Sequence, residues 1–80
     1  MSELDRLNEA VDDFSVAMKW KLTYKLNQGF GGWDDSEYEE VIQKKLKIAT
    51  NRLLAGDVQQ AVDVANLAMM LHFQFGATLK

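Results

Sequence analysis

The stretch Leu53-Leu54-Ala55-Gly56-Asp57-Val58-Gln59-Gln60 joins two helix-like segments through a turn of about two residues. Gly56 is the residue type that ends a helix in the left-handed region. Asp57, with Gln60 three positions on, has the spacing of a cap that opens the next helix. So short a connection makes the two helices an antiparallel hairpin. Upstream of it, Tyr38, Val41, Ile42, Leu46, Ala49 and Leu53 recur at helical spacing as one apolar face. Downstream, Val58, Ala61, Val62, Ala65, Ala68, Met69 and His72 lie on or near another. Mirror counting through the turn gives facing residues whose numbers sum to roughly 111–112. On that count Asp63 faces Ile48 and Ala49, with Lys45 and Arg52 one turn to either side.

Ser36 with Glu39 predicts a capping box for the first helix of the hairpin, over about residues 36–54. The second is expected over about residues 57–75. Before the hairpin stands the glycine-rich segment Gly29-Phe30-Gly31-Gly32-Trp33-Asp34-Asp35, within a loop expected over residues 28–35. It is not a phosphate loop, because no strand precedes it and no Gly-Lys-Ser/Thr follows. Ahead of the loop, Leu4, Leu7, Val11, Phe14, Met18, Leu22 and Leu26 recur every three or four residues. They predict an amphipathic helix over about residues 3–27, capped by Ser2 with Asp5 and stopped by Asn27-Gln28-Gly29. No segment alternates with period two between turn signals, so the fold class is all-α with three helices.

Eighty residues make one small domain. With no cysteine there is no disulfide and no thiolate metal site, and one histidine excludes a multi-histidine site within a chain. No apolar run approaches the ~20 residues that span a bilayer, and the acidic N-terminus does not look like a signal peptide. Residues 1–40 carry ten acids and four bases, and residues 41–80 two acids and five bases, for a net charge of −3. A nucleic-acid polymer is therefore not an expected partner. So short a chain buries only about 60% of its unfolded surface, which leaves a monomer marginal and makes a homodimer or homotetramer the expected state.

The run Asp63-Val64-Ala65-Asn66-Leu67-Ala68-Met69-Met70-Leu71 resembles the signature of MazG-like nucleotide pyrophosphohydrolases, especially small phage-borne members. Upstream, Phe14, Met18, Lys21-Leu22 and Gly31-Gly32-Trp33 are similar to that family's first-helix and Gly-Trp elements. The resemblance implies a four-helix core completed by homo-oligomerisation. It also implies cleavage of nucleoside triphosphates to monophosphate and pyrophosphate, with Mg²⁺ held by Glu-Glu-x-x-Glu on one helix and Glu-x-x-Asp on the next. If the chain is phage-encoded, the bacterial cytoplasm is its expected location. Asp63 matches the last acid of that pattern, but Gln60 stands at the preceding glutamate. Lys47-Ile48-Ala49-Thr50-Asn51-Arg52 stands where the double glutamate would. Glu39 and Glu40 lie nine or more residues away from Ala49, about 13 Å along a helix.

The expectation is a catalytically degenerate MazG-like protein, a pseudoenzyme with no catalytic residue, no metal ligand set and no cofactor. It would bind or sequester a nucleotide or related phosphate ligand through Asp63, Asn66, Lys45, Arg52, Asn51 and Trp33. Arginine and lysine would meet phosphate oxygens directly, and Trp33 would stack on a base. Each has a plainer reading: Asp63 as an ion pair with Lys45 or Arg52, Asn66 as a helix cross-link, Trp33 as a packing anchor, the lysines as a solvated face. Met69, Met70, Phe73 and Phe75 read as core or subunit interface, and His72 as a histidine near a helix C-terminus. Two alternatives remain: an active Mg²⁺-dependent pyrophosphohydrolase, and a non-catalytic oligomerisation or protein-binding module.

Overall fold

Helix α1 spans Glu3–Asn27. Ser2 caps it: its side chain accepts from the Asp5 amide, and the Asp5 carboxylate accepts from the Ser2 amide. The helix ends on Gly29 at φ +92°. The Gly29 amide donates to the Leu26 carbonyl and the Phe30 amide reaches back to Lys25 at 3.1 Å. This is the paired closure that a left-handed glycine makes possible at a helix end.

The computed structural model describes the backbone of residues 1–79 and the side chains of residues 1–74. The side chain of Phe75, expected from sequence in the core or a subunit interface, lies outside the described residues.

After the glycine loop the chain makes a 3-10 turn at Ser36–Tyr38 and enters α2 at Glu39–Leu54. The capping differs from the expectation. Asp35, not Ser36, supplies a side-chain cap, accepting from the Glu37 amide at 3.0 Å, and it caps the 3-10 turn; α2 itself begins three residues later than expected and has no side-chain cap. Two good capping residues stand in succession, and the bond from the Asp35 amide to the Gly32 carbonyl sets Asp35 at the turn.

Gly56, at φ +112°, closes α2 as Gly29 closes α1, with the Asp57 amide donating to the Arg52 carbonyl. Helix α3 then runs over Gln60–Leu79. It begins three residues later than expected because residues 57–59 form turns, with the Gln60 and Ala61 amides bonded three residues back.

Helices α2 and α3 pack closely as the expected hairpin, and α1 packs on α3 without a comparable contact to α2. Asn66 meets Met18 and Asp63 meets Lys21, so α1 and α3 run antiparallel. Flanked by both helices, α3 is buried or half-buried at every residue from Gln60 to Leu67. The core is thin: among the described residues only Ile42, Ala49 and Asn66 are buried, and none of them lies in α1. Leu4, Leu7 and Val11, on the apolar stripe of α1, are 65%, 57% and 64% exposed. No helix among the described residues is long and apolar enough to cross a membrane.

Candidate functional site

The α1–α3 contact holds the only buried polar side chain among the described residues. Asn66 is 4% exposed. Its Nδ2 donates to the Met18 carbonyl at 3.2 Å, and its Oδ1 accepts no hydrogen bond from the protein. A buried amide oxygen without a donor is costly, because it has given up water for nothing. Helical spacing sets Asp63 one turn before Asn66. The Asp63 carboxylate stands 3.8 Å from Lys21 Nζ, with both side chains partly exposed. That separation exceeds the ~2.7–2.9 Å of a tight charge-assisted hydrogen bond, so the pair is loose.

The expected pairing of Asp63 with Lys45 or Arg52 is thereby corrected. The hairpin count considers α2 alone, whereas α1 also lies against α3 and brings Lys21 to the carboxylate. Lys45 stands instead over the Phe30 ring, 5.0 Å from its centroid, and Lys25 stands at the same distance from that ring. Arg52 and Asn51 have exposed side chains, and their backbone carbonyls close the end of α2. Trp33 is partly exposed in the loop, where its carbonyl accepts from the Gln74 side chain. His72 is exposed and meets Phe73 edge to face. The structure thus brings Asp63 and Asn66 to one contact and leaves Lys45, Arg52, Asn51 and Trp33 elsewhere.

Beside Lys21 lies an open groove of about 420 Å³, lined by Ala17, Trp20, Lys21, Tyr24, Gln59 and Val62. Trp20 and Tyr24 are well exposed for residues of their size. Lys21 connects the groove to the buried amide, since it lines the one and pairs with Asp63 beside the other. Sequence reasoning passed over Trp20 and Tyr24. The missed signal is a second ridge, Val16-Trp20-Tyr24 at four-residue steps, which falls on the side of α1 opposite its main apolar stripe. Among the described residues, no three His, Cys, Asp or Glu side chains come together to hold a metal ion.

No family model, curated protein or solved structure matches this chain.

Proposed function

We propose that this chain is a non-catalytic, self-associating helical module that binds a nucleotide or related phosphate ligand at the α1–α3 contact. The reading treats it as a MazG-like protein that has lost metal chemistry. The observation that carries it is the buried Asn66 Oδ1 without a donor. A nucleobase N–H entering between the helices would satisfy that oxygen. Trp20 and Tyr24 offer aromatic faces to the base. Lys21 can turn from its loose pair with Asp63 to a phosphate oxygen. The charge contact expected from Lys45 and Arg52 therefore passes to Lys21. Such a protein would sequester a nucleotide or buffer its pool without changing it.

The test is a thermal-shift screen in EDTA against nucleoside mono-, di- and triphosphates, cyclic nucleotides, cyclic dinucleotides, phosphate and pyrophosphate. A ligand at a hundred times its Kd stabilises the native state by about 2.7 kcal/mol. The proposal expects a nucleotide to raise Tm without metal, and the Lys21→Met and Asn66→Leu variants to lose the shift. A flat response to every compound refutes binding. Pyrophosphate release on adding Mg²⁺ and a triphosphate refutes the non-catalytic part and restores the enzyme alternative.

A further inference from the structure

We propose that the N-terminal half of α1 is the surface by which two copies of this chain pair, antiparallel and through the same patch on each. This rests on the self-association reading above and names its surface. A folded monomer of this mass exposes about 4,900 Å² by the usual scaling. This chain exposes 6405 Å², an excess of about 1,500 Å² over that scaling. Its radius of gyration is 14.0 Å, against about 11.6 Å for a compact chain of its length. A standard protein interface takes about 800 Å² from each partner. The excess is therefore more than enough for one stable contact.

The location follows from where α1 is bare. Leu4, Leu7, Val11 and Phe14 step by three, four and three residues, the spacing of a two-helix seam. All four are exposed, and Phe14 is the least so. From Met18 onward the same face is taken by α3, whose Asn66 bonds the Met18 carbonyl. The seam thus continues a face that is half-buried within the chain at Met18 and Leu22.

The same contact sets the direction. A parallel partner helix following the seam would run into α3 beyond Phe14. An antiparallel partner overlaps over residues 3–14 alone and leaves past the N-terminal end. Facing residues then have numbers that sum to about 18, which sets Leu4 against Phe14 and Leu7 against Val11.

A membrane surface is a poor occupant of this seam. Residues 3–13 carry five acids and one base, the wrong sign for anionic headgroups.

The chain has no cysteine, so introduced ones report cleanly. Sedimentation at micromolar concentration should give wild type a mass above that of one chain. The Leu7→Asp/Val11→Asp double variant alters only exposed side chains and should raise the dissociation constant at least a hundredfold with helicity intact. Under mild oxidation, a mixture of the Leu7→Cys and Val11→Cys proteins should cross-link several times faster than either alone. A monomeric wild type overturns both this surface and self-association. Persistent assembly of the double-aspartate variant overturns the surface and leaves self-association standing. Leu7→Cys alone linking as fast as the mixture overturns the antiparallel arrangement.

Discussion

Asn66 makes the sharpest contrast between stability and binding. Its amide nitrogen adds a bond to a carbonyl that α1 already uses in its own ladder, while its oxygen is buried without a donor. Replacing it with an apolar residue of similar size removes the orphan acceptor, so Asn66→Leu should change the unfolding free energy by less than about 1 kcal/mol. Asn66→Asp buries a carboxylate one turn from Asp63 and removes the donor, and should cost at least about 2 kcal/mol. Urea unfolding of the two variants checks this, and equal losses would mean that the amide oxygen is satisfied in the folded protein. The Lys21–Asp63 pair sits at the other extreme. It is long and partly solvated, so Lys21→Met should cost no more than about 1 kcal/mol. A loss above about 2 kcal/mol would show a tight, dry pair instead. A residue that contributes little to folding is free to serve a ligand.

At the level of elements, the helix ends carry the clearest local rules. Gly29 and Gly56 have φ of +92° and +112°, and an added Cβ would meet nothing within 4 Å at either. Their cost on substitution is therefore backbone strain alone. Gly29→Ala and Gly56→Ala should each destabilise by about 1–2 kcal/mol. Gly31 has equal room and no positive φ, so Gly31→Ala should be close to neutral. Thermal unfolding of the three variants separates the two groups.

Those rules also explain what sequence reading reaches. The Ser2–Asp5 box and the Gly29 and Gly56 stops are written within a few residues, and α1 and the hairpin turn follow from them. The cap lies one residue earlier than the sequence suggests, because Asp35 and Ser36 are both competent caps and a bond from the loop selects Asp35, and α2 starts three residues later, at Glu39, because a 3-10 turn takes up Ser36–Tyr38. The partner of Asp63 was not legible. Turn length fixes how α2 faces α3, but nothing local says on which side α1 arrives or that Lys21 comes with it. The groove was missed for the same reason, since Trp20 and Tyr24 matter only once α3 begins beside them.

For the molecule as a whole, one fact dominates: α3 is flanked on two sides, while α1 is covered along part of one face and has no buried residue. Three helices that all touched one another would share a core; here the buried positions are few and α1 contributes none. On the pairing proposed above, a second copy would supply the missing burial. Stability should then rise with protein concentration, because association draws on the folded state. The most direct measurement is sedimentation equilibrium of the wild-type chain from sub-micromolar to hundred-micromolar concentration, with Tm recorded across the same series. The account predicts a mass of two or more chains over the upper range and a Tm that falls on dilution. A single-chain mass throughout, with cooperative unfolding at a Tm independent of concentration, would contradict it.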